Sequence, residues 1–265
     1  MIDAHDTQLM PDDETQALMK AGVHIGHTSS KTHPAMRPFI FTTRNNIEII
    51  DVLKTAEFLA KAETFLQSVI AKGGMVLWVG TKPSARVAIE EAAQKTGMPY
   101  VTNRWVGGLL TNFRVISRRA QTMEEIEKKK ASGELEKYTK QERARIDDEY
   151  QSLYKVYNGI RLLKRTPDVV IVIDAVHDNA AVNEARRIKI PVVALADSNT
   201  DPRVITYPIP SNDDARLAVT YMAGRLAGAL EKGVEEAKRA EVANREKQEA
   251  AERQNKEASK TEVES

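Results

Sequence analysis

The 265-residue chain contains no cysteine. That removes a disulfide framework and any thiolate nucleophile or metal ligand, and it fits a reducing cytoplasm. Long apolar runs are missing as well. The longest, "MVLWVG" and "VVIVIDAV", fall far short of the ~20 residues that span a bilayer, so no membrane segment is expected. The opening "MIDAHDTQLMPDDETQ" is acidic and lacks the apolar stretch of a signal peptide. Neither a G-x-G-x-x-G fingerprint nor P-loop spacing occurs. No Ser-His-Asp arrangement can be assembled, and the nucleic-acid signatures of the RNP, KH and helix-turn-helix classes are also missing.

What is present is charge, segregated by sign. The net charge of +1 hides −4 on residues 1–20 and −2 on residues 231–265, which leaves +7 on 21–230. A body of that sign suits a polyanion. Residues 1–17 show no apolar period, and residues 231–265 carry almost no large apolar residue. Residues 1–17 are therefore expected to be a flexible acidic tail, and 231–265 a charged tail that frays or stays disordered.

Between the tails, apolar strands alternate with amphipathic helices. "AEFLAKAETFLQSVIAKGG" has helical spacing; "MVLWVG", "PYVTNRW", "DVVIVID", "PVVALAD" and "VITYPI" read as strands. "PSARVAIEEAAQKTG" is predicted as a helix with Pro83 near its first position and Gly97 as its stop. "NAAVNEARRIKI" and "DDARLAVTYMAGRLAGAL" complete the helices. Continuous apolar strands separated by helices predict an α/β fold with a doubly wound, mostly parallel sheet. The α/β domain is assigned to residues 18–112 and 166–230. Between them, 113–165 shows no strand. Ile116, Ala120, Met123 and Ile126 form one apolar seam, and Ile146, Tyr150, Leu153, Tyr157 and Ile160 form another. With "KKKASGELEKY" as a polar tip and "TKQE" from Thr139 as a capping box, this insertion is expected to be an antiparallel coiled-coil hairpin. It holds fourteen basic and nine acidic residues, so most of the body's positive charge lies on it.

Several motifs invite chemistry. "VGTKPSA" follows a strand and could hold a phosphate at a helix start, but a tight turn explains it without a ligand. "DSNTDP" and "SNDDA" could hold Mg²⁺, yet turns and helix caps want the same residues. His24, His27 and His33 in "GVHIGHTSSKTH" lack the further ligand a metal centre needs; hydrogen bonds within a loop, or to phosphate, are the preferred reading. The basic residues are more telling. Arg37, Arg44, Lys54, Lys82, Arg104, Arg114, Arg118 and Arg119 cluster around loops and strand ends, with Asn45, Asn46, Asn103 and Asn112 among them. Arginine and asparagine on bent backbone are what phosphate and sugar contacts use. Trp105 and Phe39 could stack a base, although core packing suits Trp105 better. Folded RNA, read by shape and backbone, is the expected partner. A nucleotide-using α/β enzyme with a helical insertion is the alternative.

Seven motifs occur in a distinctive order: "AGVHIGH", "MRPFIFTTRNNIEIIDVLKT", "VGTKPSA", "YVTNRWVGGLLTNF", "TPDVVIVID", "AVNEARRIKIPVVALADSNTDP" and "YPIPSNDDA". Together they resemble the bacterial small-subunit ribosomal protein S2 family over roughly Leu18 to Leu230. The resemblance implies a Rossmann-like (flavodoxin-like) domain with an inserted coiled coil, docked on small-subunit ribosomal RNA beside neighbouring ribosomal proteins. It implies no catalysis, cofactor, metal or small-molecule substrate, a cytoplasmic location in the small subunit, and a part in docking protein S1 where that protein exists. By position, Arg44, Asn45, Lys82, Arg104 and Asn112 fall in the matching motifs. Three departures stand out: "KTHP" where members commonly have Arg-Trp-Asn-Pro, "YNGI" for a Gly-Gly-Ile, and the lack of a common cysteine in "DSNTDP".

Overall fold

The computed structural model describes residues 12–263, and the side chains of residues 13–239. The expected acidic tail lies outside the described residues as far as residue 11. From Asp12 to Lys20 the chain is a helix, α1. It is held by Arg225, whose guanidinium reaches Glu14 at 2.6 Å and Glu63 at 2.9 Å.

Five strands build the main sheet: β4 (Val76–Val79), β5 (Tyr100–Val101), β6 (Val169–Val172), β7 (Val192–Ala196) and β8 (Tyr207–Pro210). All pairings are parallel, in the order β5-β4-β6-β7-β8. Counted along the sheet this is the 2-1-3-4-5 order of flavodoxin-like doubly wound sheets. Period-two alternation sorts the side chains. Val76, Trp78, Val169 and Ile171 join one core, whereas Leu77, Val79, Val170 and Val172 join the other. The first core is closed by α2 (Val52–Ala71), α3 (Arg86–Thr96) and α7 (Arg216–Val263). The second is closed by α6 (Asn179–Arg187), Trp105, Leu109 and Leu110. Trp78 is fully buried; burial of one large apolar side chain stabilises by roughly 1.5–3 kcal/mol. Both faces are thus covered, as near-continuous apolar strands require.

Two local expectations change. The helix after β4 starts at Arg86, and Pro83 lies ahead of it in a turn closed by the Ala85 N–H to the Lys82 carbonyl at 3.0 Å. "PYVTNRW" supplies only two strand residues. Beyond them Thr102 donates its hydroxyl hydrogen to Glu90 (2.7 Å), and Asn103 donates from its amide to the Lys155 carbonyl (2.7 Å), so the backbone leaves the sheet.

The inserted segment forms α4 (Phe113–Ala131) and α5 (Lys140–Tyr157), which pack on each other. Thr139 and Glu142 make the expected reciprocal capping box. Ile116, Ala120, Met123 and Ile126 are buried on α4; Ile146, Tyr150, Leu153 and Tyr157 on α5 are half-buried. At 19 residues, α4 extends about 28 Å at ~1.5 Å per residue.

A second, antiparallel sheet escapes the sequence reading. β1 (Ile25–Thr28), β2 (Ile40–Arg44) and β3 (Ile47–Ile50) lie in the order β1-β3-β2. Asn45 and Asn46, at φ 49° and 64°, make the two-residue turn between β2 and β3. This is the left-handed pair that tight hairpins demand and that asparagine tolerates. The small sheet sits over the carboxyl ends of β7 and β8. The His33 N–H reaches the Ser198 carbonyl at 2.8 Å, and the Asn212 side chain donates to the Ile25 carbonyl at 2.5 Å.

Candidate nucleic-acid interface

The loop between β5 and α4 is wound around a single carboxylate. Glu184 Oε1 accepts from the Trp105 indole (3.0 Å) and the Gly108 N–H (2.7 Å). Oε2 accepts from the Leu110 N–H (3.1 Å), and from the Thr111 N–H and hydroxyl (3.2 Å each). Burial works against the Glu184 charge, but the Gly108, Trp105, Thr111 and Leu110 donors prevail and hold its carboxyl below the usual range. Gly108 sits at φ +92°, a conformation that side-chain-bearing residues resist. Only this glycine of the Gly107-Gly108 pair has that need.

On this scaffold Arg104 and Asn112 are exposed at the two ends of the clamped loop, and Arg114, Arg118 and Arg119 are exposed on the first turns of α4. Arg37, Arg44 and Asn45 are exposed on the small sheet and the segment leading into it. Among the described residues none of these arginines has a carboxylate within 4.0 Å. Several cations elsewhere are paired: Arg165 with Asp168 at 2.7 Å, Lys95 with Glu231 at 2.7 Å, Arg203 with Asp201 at 2.9 Å. Lys54 is also engaged, with the Pro38 carbonyl and with Asp51 at 3.8 Å.

Lys82 belongs to a different environment. It lies past the end of β4, at the point beside β6 where the strand order reverses and doubly wound sheets take up ligands. Its ammonium is half-buried and bonded to Asp174 (2.6 Å), Asp213 (3.5 Å) and Asp214. Burial disfavours its charge, but the hydrogen bonds to Asp174 and Asp214 overcome this and raise its pKa. His27 extends the network, with Nδ1 3.1 Å from Asp197 and Nε2 3.3 Å from Asp214. The Asp197 hydrogen bond lifts the imidazole above its ordinary pKa. Burial, with Asp174 and Asp197 nearby, pushes Asp213 up to about 8. Thr81, whose amide would face a phosphate, instead donates N–H (3.0 Å) and hydroxyl (2.6 Å) to Asp178. The crevice is therefore filled by the chain's own carboxylates, which repel phosphate. The histidines diverge. His33 Nδ1 accepts from the Ala35 N–H at 3.2 Å and caps a short 3-10 turn at Pro34, while Asp201 accepts from the Arg203 N–H to cap another.

A profile of the family described as Ribosomal protein S2 matches residues 18–233. The small ribosomal subunit protein uS2 of Coprothermobacter proteolyticus is 42% identical over 218 residues, spanning 82% of this chain and 81% of that one. Its counterpart from Thermus thermophilus is 43% identical over 208 residues, 78% of this chain and 81% of that one. The chain belongs to the ribosomal protein S2 family. As a member of the S2 family it is a ribosomal protein and not an enzyme, which discards the nucleotide-using alternative.

Two departures from the S2 family pattern find a physical account. In "KTHP", His33 stands directly before Pro34 and supplies the acceptor at this helix start, a role its ring nitrogen can fill. In "YNGI", Asn158 has an ordinary right-handed conformation at φ −57°, so no glycine is needed there. Gly159 is the position that cannot change, since a Cβ would lie 2.3 Å from the Tyr100 carbonyl oxygen. Glu184 and Asp174 were not singled out from sequence; Asp213 and Asp214 were, within "SNDDA", as possible Mg²⁺ ligands, whereas the structure turns them to Lys82. The only local trace of the first two is an acid in "NEARR" and one closing the strand "DVVIVID".

Proposed function

We propose that the chain is seated in the small ribosomal subunit, in the cytoplasm, by binding ribosomal RNA. Arg37, Arg44, Asn45, Arg104, Asn112, Arg114, Arg118 and Arg119 make the contacts, and the α4–α5 hairpin serves as a coiled-coil arm. One observation carries this reading: Arg104, Asn112 and Arg114 are exposed at the ends of a loop that Glu184 holds with five hydrogen bonds, and these arginines have no carboxylate partner among the described residues. Guanidinium groups left free on a rigid scaffold suit phosphates, and amides suit sugar and base edges. Each phosphate neutralised releases counterions, so affinity should fall steeply with salt. Lys82 drops out of the contact set, because its charge is consumed within the fold. The domain assignment follows the same reading: 18–112 with 166–230 forms the RNA-binding body, 113–165 the arm, and the segments before 18 and after 230 the tails. The family likeness extends the proposal to neighbouring small-subunit proteins, and to protein S1 where a cell has it.

The test is incorporation. Small subunits lacking their own copy of this chain are offered the native protein or one with Arg104, Arg118 and Arg119 replaced by alanine. Weaker uptake of a correctly folded variant supports the proposal; unchanged uptake removes these residues from the contact set. Native uptake after deletion of 113–165 would show that the arm's charge is incidental.

A further inference from the structure

Glu184 is an odd residue to find beneath a surface that binds a polyanion. No cation lies within 4.0 Å of its carboxylate among the described residues. Its charge is met entirely by donors from one loop, 73 to 79 residues away in sequence. Three of those donors, the amides of Gly108, Leu110 and Thr111, lie between a strand end and a helix start, where no ladder supplies an acceptor. Left without the carboxylate they would turn to water, and the loop would lose its single conformation. The carboxylate is itself fixed. Ala181, Val182 and Ala185 of α6 are buried in the core, so Glu184 projects from a rigid element.

The clamp ends where the RNA-facing side chains begin. Its first donor, Trp105, adjoins Arg104, and its last, Thr111, adjoins Asn112. Arg114 follows in the first turn of α4, whose start is set by the Asn112 N–H bonding to the Gly108 carbonyl at 2.7 Å. We propose that Glu184 is the positioning residue of the RNA-binding loop: by gathering five hydrogen bonds from Trp105, Gly108, Leu110 and Thr111, it fixes Arg104, Asn112 and Arg114 in the arrangement that RNA meets. This inference rests on the RNA-binding role proposed above.

Glu184→Gln keeps the shape but puts an NH2 donor where the loop also donates, so at least two of the hydrogen bonds are lost. In the full chain, confirmed folded by circular dichroism, the substitution should speed hydrogen exchange at Gly108, Leu110 and Thr111. It should also weaken uptake into depleted small subunits about tenfold. The deciding comparison is a background in which Arg104, Asn112 and Arg114 are already alanine. There Glu184→Gln should cost less than about twofold, because the residues it positions are gone. An equal loss in both backgrounds would make Glu184 a general fold residue and overturn the inference. So would native uptake by Glu184→Gln. If the triple-alanine protein alone is taken up as well as the native chain, the RNA-binding reading of these residues fails, and with it anything Glu184 does for them. Should Glu184→Gln not fold, Trp105→Phe, which removes one donor and keeps an aromatic ring, carries the same two-background test with an expected loss of about threefold.

Discussion

Lys82 and Arg104 stand just past the carboxyl ends of neighbouring parallel strands, β4 and β5, and a sequence reading puts both on the same basic surface. Their surroundings are opposite. Lys82 is enclosed by Asp174, Asp213 and Asp214, whereas Arg104 is exposed with no carboxylate within 4.0 Å among the described residues. The difference lies in what occupies the adjoining loops. Behind β6 and β8 come aspartates that the fold collects at the strand ends; behind β5 comes a loop whose one carboxylate, Glu184, turns inward to backbone amides. A positive charge in the sequence becomes a positive charge on the surface only where the fold leaves it unpaired.

The sharpest way to break this contrast is to exchange the consequences. Lys82→Met leaves three aspartates without their cation, and a largely buried carboxylate stripped of its partner is costly. We expect a loss of about 2–3 kcal/mol in urea unfolding, with no direct effect on RNA affinity beyond the lost fold. Replacing Arg104, Arg118 and Arg119 by alanine should do the reverse. Exposed positions without partners contribute little to stability, within about 0.5 kcal/mol, while affinity for the small subunit should drop about thirtyfold. The slope of log K against log salt should become shallower by about 2, for two to three lost phosphate contacts at ~0.9 each. If Lys82→Met behaved like the arginine variant, the division between the two regions would collapse.

Much of this division was hidden from sequence for a physical reason. Local patterns reported themselves: the continuous apolar runs of β4, β6 and β7 revealed the parallel sheet, and the four-and-three spacing of Ile146, Tyr150, Leu153 and Tyr157 marked the half-buried side of α5. Those signals are local, because a strand or helix shows its buried face within a few residues. The partners of Lys82 lie 92 and 131 residues away, and the donors to Glu184 at least 73. No window of sequence contains both halves of such contacts. The small sheet was missed for another reason: β1 and β2 bury none of their residues and β3 only alternates, so none carries the continuous apolar run that marks β4, β6 and β7. The Asn45-Asn46 pair between β-branched segments was a hairpin signal, read instead as a pair of hydrogen-bond donors.

The pH dependence of stability should come from the crevice and not from the arginine surface. Asp213, held up to about 8 by burial and by Asp174 and Asp197, keeps a proton in the native state that the unfolded chain releases near 4. His27, raised chiefly by its hydrogen bond to Asp197, also holds its proton more tightly when folded. In both cases the folded state binds the extra proton. Their stabilisation is complete below the unfolded pKa values and is lost as pH rises through the folded ones. Stability in urea should therefore fall between about pH 4 and 8, as the unfolded chain gives up a proton that native Asp213 keeps, with His27 adding to the decline from about pH 6.5 upward. Asp213→Asn should flatten that decline, while the triple arginine variant should retain it in full.

The smallest effect is expected at the hairpin tip, where the sequence is most basic. Lys128, Lys129 and Lys130 end α4, but they are not equivalent. Lys130 bonds to Asp147 and lies 4.0 Å from the centre of the Tyr150 ring, so it ties α4 to α5. Lys128 and Lys129 make no ion pair among the described residues, and they stand at the far end of a helix about 28 Å long, away from the clamped loop. Reversing both to glutamate removes charge from a site that nothing holds in register, unlike Arg104 between Asn103 and Trp105. Uptake into small subunits should change by less than about twofold at physiological salt. A loss as large as that of the triple arginine variant would mean that density of charge, and not its fixation by the fold, decides where RNA binds.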